Sequence, residues 1–375
     1  MSRFYDQVTD HVRTLGRYAP GKPIRQAEQE SGVTCIKLAS NENPFGPSPR
    51  AVEAMRRALA ETHFYPDDDA PELRQALAQK HGVPVENVLV TAGATSLLEI
   101  IARTLIQPGL NAVIGERSFI VYPIATKAAG GSLKIVPMRN DGLDLDAMAA
   151  AVDEHTRIVF LANPNNPTGT LFDAETVEHF LSKIPPHVLV VLDEAYYDFA
   201  QHFATARGVT YSRSLDYVKQ NRNVIVLRTF SKAHGLAGVR VGYGLGPAEL
   251  ISYLTKLRTT FSVSNVAQAA ALAAMGDEEH VRNALVNNER QNDLLTKNLL
   301  AMGCRIVPTW ANFLYCEAGE PADALAQKLQ NEGVIIRSLR PWRIPDAIRV
   351  SIGTPQQNET FLKAFQKVRD GVTTH

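Results

Sequence analysis

The stretch Thr229-Phe230-Ser231-Lys232-Ala233-His234-Gly235-Leu236-Ala237-Gly238-Val239-Arg240 gathers groups that can do chemistry. It follows an apolar run, residues 223–227, of the kind that makes a buried strand. Lysines usually sit on solvated surfaces, so Lys232, just past such a strand and flanked by hydroxyl side chains, has two readings. It is an ordinary loop lysine beside a glycine-rich turn. Or it is an amine whose pKa is depressed by burial and by the Arg240 cation, so that it can form a Schiff base with an aldehyde cofactor. In the second reading Ser231 and Thr229 offer hydroxyls to a phosphate, and Arg240 offers a guanidinium fork.

Other clusters carry paired readings of the same sort. Gly93-Ala94-Thr95 opens a helix, which makes either an anion site of free N–H groups or plain capping by Thr95 or Ser96. Asp193 ends a buried strand, where a carboxylate is costly unless paired; it holds a protonated pyridine nitrogen or serves as a helix cap. Tyr196, three residues on, can reach a phenolic oxygen on such a ring. Asn166, in the string Asn-Asn-Pro-Thr-Gly, either donates to that oxygen or only forms a turn. Phe119 either stacks on a flat ring or belongs to the core. Arg349 is a fork for a carboxylate or a surface arginine on a strand. Together, an aldehyde-trapping lysine, an aspartate for a ring nitrogen, donors for a phenolate and donors for a phosphate describe pyridoxal phosphate.

The elements that must position these groups alternate. Strands are expected at 88–90, 112–114, 133–136, 158–161, 188–192, 223–227 and 240–244, with helices at 97–106, 120–129, 146–152 and 173–181 between them. Unbroken Val/Ile/Leu strands in such a series argue a mostly parallel sheet covered on both faces. Ligands of such sheets lie at the carboxyl ends of the strands, where each polar cluster falls. Upstream, Ser48 caps a helix expected over 49–61 with Pro49 at its first position, and a second helix covers 71–81. The loop Ser40-Asn41-Glu42-Asn43-Pro44-Phe45-Gly46-Pro47-Ser48-Pro49 cannot be regular structure. After Pro247 the pattern is helical to about residue 302, then mixed: strands 305–307, 313–316, 334–336 and 348–352 with helices 322–331 and 356–369. The expected division is an arm at 1–36, a large domain at 37–262 and a small α+β domain at 263–375, with 37–50 packing on the small domain.

Composition narrows the class. With 375 residues, 45% hydrophobic and 21% charged, and 39 basic against 39 acidic side chains, the chain reads as an ordinary globular protein. A zero formal charge gives no reason to expect nucleic acid or a membrane surface as partner. Cys35, Cys304 and Cys316 show neither metal nor redox spacing, which fits a reducing compartment. No apolar stretch reaches the roughly 20 residues needed to span a bilayer, and the amino-terminal residues lack a secretion signal. A cytoplasmic protein is expected.

The chain resembles the fold type I pyridoxal-phosphate aminotransferases over nearly its whole length, and within them the histidinol-phosphate aminotransferase family. The resemblance rests on Tyr18-Ala-Pro-Gly-Lys-Pro23, Asn41-Glu-Asn-Pro-Phe-Gly-Pro-Ser-Pro49, Tyr65-Pro66-Asp67, Asn166-Pro-Thr-Gly169, Asp193-Glu-Ala-Tyr196, Ser231-Lys232 through Arg240, and Arg349-Val-Ser-Ile-Gly353. It implies that Lys232 bonds the cofactor and moves the proton, and that Asp193 pairs with the pyridinium. It implies that Asn166 and Tyr196 hold the ring oxygen, and that Ala94, Thr95, Ser231 and Arg240 hold the phosphate with Thr229 close by. Phe119 takes the stacking place. Tyr65 reaches the cofactor phosphate of a neighbouring subunit in a homodimer. Arg349 binds the substrate carboxylate or phosphate, while Arg337, Tyr18 and Asn43 line the substrate pocket.

The implied reaction is transamination between L-histidinol phosphate and 2-oxoglutarate. The alternatives are an aromatic amino acid aminotransferase and a decarboxylase of phosphorylated threonine. Three features depart from the family pattern: Ala94-Thr95-Ser96 in place of an acidic pair, His234 where tyrosine or phenylalanine is commoner, and residues 337–344, whose three arginines and Trp342 suit a phosphorylated or an aromatic substrate.

Overall fold

The computed structural model describes residues 4–16 and 20–371; the expectation for Tyr18 lies outside them. Seven strands form the main sheet: β1 (Val88–Thr91), β2 (Asn111–Gly115), β3 (Ser132–Val136), β4 (Thr156–Ala162), β5 (Leu189–Asp193), β6 (Val224–Thr229) and β7 (Gly242–Leu245). Their order is β1-β7-β6-β5-β4-β2-β3. β7 runs antiparallel to both of its neighbours, while the pairings from β6 to β3 are parallel.

The unbroken apolar strands follow from burial on both faces. Side chains alternate along a strand with period two, and here each half feeds a separate core. Val190, Leu192, Val224 and Val226 join one cluster; Leu189, Val191, Ile225 and Leu227 join the other. The same alternation decides where the polar strand ends point. Asp193 continues the Leu189–Val191 side, which holds Tyr122 and Phe160. Arg228 continues the opposite side.

The smaller sheet is antiparallel: β8 (Arg305–Val307), β9 (Phe313–Glu317), β10 (Arg337–Ser338) and β11 (Ala347–Ser351), in the order β8-β9-β11-β10. Helices Ala322–Asn331 and Pro355–Arg369 pack on it together with Leu295 and Leu299 of the long helix Glu278–Ala301. The early strand Ile36–Lys37 pairs in parallel with Val334–Ile335, and Leu38 O accepts the Ser351 N–H at 2.8 Å. Among the described residues no helix is long and apolar enough to cross a membrane.

Some expected boundaries move. The helix from Pro49 ends at Ala58 and continues as a 3-10 turn, Leu59–Glu61. The strand expected from residue 240 begins at Gly242, because Arg240 adopts φ +62° and turns the chain. Helix Asn265–Met275 lies beyond the expected start of the small domain at 263. Its Ala267, Ala270, Ala271 and Ala274 form a stripe at helical spacing, and they are buried in the same core as Leu73 and Val88 of the large unit.

Behind the sheet, Glu194 and Arg228 make a buried ion pair. Arg228 Nε and Nη2 donate to Glu194 Oε2 at 3.0 and 2.8 Å. The Ser212 and Ser214 hydroxyls donate to the same carboxylate at 2.6 and 3.1 Å, and the Tyr197 ring centroid lies 3.4 Å from Arg228 Cζ. Removing one partner of such a pair leaves an uncompensated buried charge, at a cost of about 3–5 kcal/mol. Arg228→Met is therefore expected to lower stability by an amount of that order, read as an earlier urea midpoint. An unchanged midpoint would refute the cost assigned to the pair.

Candidate active site

A cavity of about 240 Å³ opens at the carboxyl ends of β4, β5 and β6. It collects Ala94, Thr95, Phe119, Asn166, Asp193, Tyr196, Thr229, Ser231, Lys232, Arg240, Arg337 and Arg349, residues spread over more than 250 positions of sequence.

One end is built for an anion. Helix Ala94–Leu105 starts directly after Gly93, so its first N–H groups have no partners within the helix. Gly93 has φ +83°, and a Cβ there would stand 2.4 Å from Arg240 Nη2. A Cβ on Gly242 would stand 2.6 Å from Ala94 N. Two missing side chains thus let strand, guanidinium and helix start crowd together. Arg240 Nη1 donates to Ala237 O at 2.9 Å and to Ser231 Oγ at 3.4 Å. Thr229 Oγ1 accepts the Ser231 N–H at 3.1 Å, which fixes the turn.

A carboxylate occupies another wall. Asp193 is buried, and burial raises its pKa against the pull of Tyr122 and the Ala195 N–H. Tyr122 Oη donates to Asp193 Oδ2 at 2.7 Å, and Ala195 N donates to Oδ1 at 3.1 Å. Lys232 stands on the wall of the cavity, its Nζ donating to Ser40 O at 3.1 Å. Burial lowers the pKa of this amine to about 8, assisted by Arg349 and Arg240 and opposed by Glu42. At that value about a tenth of the amine is the neutral nucleophile at pH 7.

The third wall is a relay of amides. Tyr196 Oη accepts from Asn166 Nδ2 at 3.2 Å and from Asn41 Nδ2 at 2.8 Å. Asn166 Oδ1 accepts from Arg349 Nη1 at 2.5 Å, and Arg349 Nη2 donates to Ala39 O at 2.9 Å. Arg337 donates to Pro20 O at 3.0 Å. Arg337 and Arg349 are register partners on β10 and β11, and their Cζ atoms lie 5.4 and 5.8 Å from the Trp342 ring centroid. Trp342 Nε1 donates to Ser118 O at 2.8 Å, tying this wall to the residue before Phe119.

Two expected residues stand elsewhere. Asn43 does not line the cavity: its Nδ2 donates to Ala233 O and its Oδ1 accepts the Phe45 N–H, so it braces the loop. Asn41, with φ +57°, turns its amide into the site in its place. Tyr65 is 81% exposed, stacked on Phe261 at 4.7 Å, outside its own chain's cavity. Sequence reasoning also passed over Tyr122. Its signal was its spacing of three from Phe119, which puts both rings on one side of a helical turn.

Comparison with known proteins follows the same lines. The model of aminotransferase class I and II matches residues 33–365. A protein of Pseudomonas fluorescens named histidinol-phosphate aminotransferase 2 is 43% identical over 360 residues, covering 95% of this chain and 96% of that one. The histidinol-phosphate aminotransferase of Moorella thermoacetica is 44% identical, covering 95% and 92%. The crystal structure of histidinol-phosphate aminotransferase from Sinorhizobium meliloti in complex with pyridoxal-5'-phosphate superposes with a TM-score of 0.89 at 28% identity, covering 98% and 99%. With the fold, the cavity and these likenesses in agreement, the chain belongs to the class I and II aminotransferases.

Proposed function

We propose that the protein is a pyridoxal-phosphate-dependent aminotransferase converting L-histidinol phosphate and 2-oxoglutarate to imidazole acetol phosphate and L-glutamate. The donor set of the cavity fits that cofactor. Open N–H groups and Arg240 suit its phosphate, Asp193 suits a protonated ring nitrogen, and Lys232 suits its aldehyde. Bound there, the cofactor supplies a sink for the electron pair left when a proton leaves the substrate Cα.

The chain's own residues do the rest. Ala94, Thr95, Ser231 and Arg240 hold the phosphate, with Thr229 bracing the turn. Phe119 offers its ring face, and Asn166 with Tyr196 orients the ring oxygen. Asp193 keeps a positive charge at the ring nitrogen. Lys232 would hold the cofactor through its aldehyde, and its Nζ, as a free amine, would take up and return the proton of the substrate Cα.

The observation that carries the substrate reading is the pair Arg337 and Arg349. Like charges opposite each other on neighbouring strands repel, and a phosphate or carboxylate seated against them relieves that repulsion. The names of the relatives support the phosphorylated choice. Single-turnover conversion of the loaded enzyme is expected to be much faster with L-histidinol phosphate than with L-phenylalanine or L-tyrosine. An aromatic acid reacting fastest would replace the substrate reading and leave the cofactor reading intact. A hydrogen bond to a charged group contributes about 1.5–3 kcal/mol. Arg337→Ala should therefore lower kcat/KM for histidinol phosphate by about tenfold to a hundredfold; a change under twofold would remove Arg337 from the substrate site.

The lysine role has its own pH signature. Only the neutral amine attacks an aldehyde, so capture of pyridoxal phosphate by the cofactor-free protein should accelerate as pH rises and level off above about 8. An exposed lysine would level off near its ordinary pKa of about 10.4. Lys232→Ala should capture no cofactor covalently. A levelling near the ordinary value, or covalent capture by the variant, would overturn the assignment.

The same reading includes a homodimer in which Tyr65 of one subunit reaches the phosphate end of the other subunit's site. Its support is the apolar surface around that residue: Leu59, Phe64, Tyr65 and Phe261 are 58%, 65%, 81% and 44% exposed. It also includes a cytoplasmic setting, in keeping with three buried free thiols. Finally, it divides the chain so that the large unit includes helix Asn265–Met275 and the small unit takes over within the long helix that follows, as the two cores suggest.

A further inference from the structure

Asp193 is held on two sides, and one of its holders has no part in the roles described above. Tyr122 is the second residue of helix Val121–Ala128 and is 0% exposed. Its ring lies flat on Phe160 of β4, with centroids 4.7 Å apart and planes at 7°. Phe119 meets it edge-on at 5.7 Å and 83°. So packed, the phenol has one direction for its hydroxyl, toward Asp193 Oδ2 at 2.7 Å.

We propose that Tyr122 is a positioning residue for the aminotransferase reaction: its hydroxyl orients the Asp193 carboxylate and holds it in the charged form that the cofactor's ring nitrogen needs. The inference rests on the reading of Asp193 as the partner of that nitrogen.

The argument is one of donors and acceptors. A carboxylate is acceptor-only when ionised, while a phenol below its pKa is a donor. Burial and the nearby Asp193 keep Tyr122 well above its ordinary range, so it stays a donor at every working pH. Burial alone would drive Asp193 to its neutral form. The bonds from Tyr122 and the Ala195 N–H oppose that drift, and donation to a charged acceptor is among the stronger hydrogen bonds. With Oδ1 taken by Ala195 and Oδ2 by Tyr122, rotation of the carboxyl about its χ2 bond breaks both contacts.

The other titratable groups facing this carboxylate are few. Lys232, from the loop after β6, favours its charge, and Glu194, next along the chain, disfavours it. Glu194 is itself held by Arg228. The buried phenol Tyr211 also feels the Asp193 charge, and Tyr196 faces Tyr122. Tyr122 donates to Asp193 directly, so its removal acts on that carboxylate directly.

The test is Tyr122→Phe, which keeps the ring on Phe160 and removes one oxygen; an unchanged melting temperature would verify that the packing survives. In the loaded enzyme kcat is expected to fall by about tenfold. KM for the amino donor should stay within about twofold, because Tyr122 acts through Asp193 and not on substrate. The acid limb of the kcat profile should move to higher pH. A second readout does not depend on turnover. Cofactor affinity, measured by equilibrium dialysis at a series of pH values, should begin to fall at a higher pH in the variant than in the wild type.

The control replaces pyridoxal phosphate by an analogue with carbon in place of the ring nitrogen. Wild type and variant should then bind it with the same pH dependence. Superimposable affinity and rate profiles with the natural cofactor would overturn the role of Tyr122 while leaving Asp193 in place. Indifference of the wild-type affinity and rate to the analogue would overturn the Asp193 reading itself, and the proposal with it.

Discussion

A carboxylate at the end of a strand buried on both faces is the constraint around which this site is arranged. Asp193 lies between Ala162 of β4 and Leu227 of β6 in register, with little solvent to stabilise its charge. The surroundings answer with a phenol, a backbone N–H and a nearby lysine. The next residue, Glu194, sends its charge to the opposite face and needs an arginine there. Period-two alternation thus separates two adjacent acids into two compartments, one opening on the cavity and one holding an ion pair.

A second arrangement follows from β7. A sheet made only of right-handed crossovers would put another parallel strand beside β6. The chain turns back instead, through Arg240 in a left-handed conformation, and β7 slots antiparallel between β6 and β1. That return carries Arg240 across Gly93 and seats Gly242 against the start of helix Ala94–Leu105. An anion site assembled from residues nearly 150 positions apart depends on those two glycines.

Much of this was legible in the sequence. Unbroken apolar strands alternating with helices are a direct imprint of two-sided burial, and polar clusters after strands marked the cavity. What was not legible depended on side-chain direction or tertiary packing. Asn41 and Asn43 sit in the same loop with the same amide; only the left-handed backbone at Asn41 decides which one enters the site. Tyr122 is core except for one oxygen, and an apolar pattern does not mark that oxygen. The alanine stripe of helix Asn265–Met275 carries no mark of which unit it packs against, because small residues suit any close-packed neighbour. The buried pair of Glu194 and Arg228 joins two strand ends whose proximity only the sheet order reveals.

The parallel pairing of Ile36–Lys37 with Val334–Ile335 has a bearing on how the protein is made. Its two halves are separated by roughly 300 residues, and a chain emerging at about 5–20 residues per second leaves the first half waiting for tens of seconds. During that interval the large sheet can close while the loop bearing Asn41 still lacks the Asn312 and Ser351 contacts that hold it. The cavity therefore acquires the wall that carries Arg337 and Arg349 late, once the chain has been made as far as Ser351.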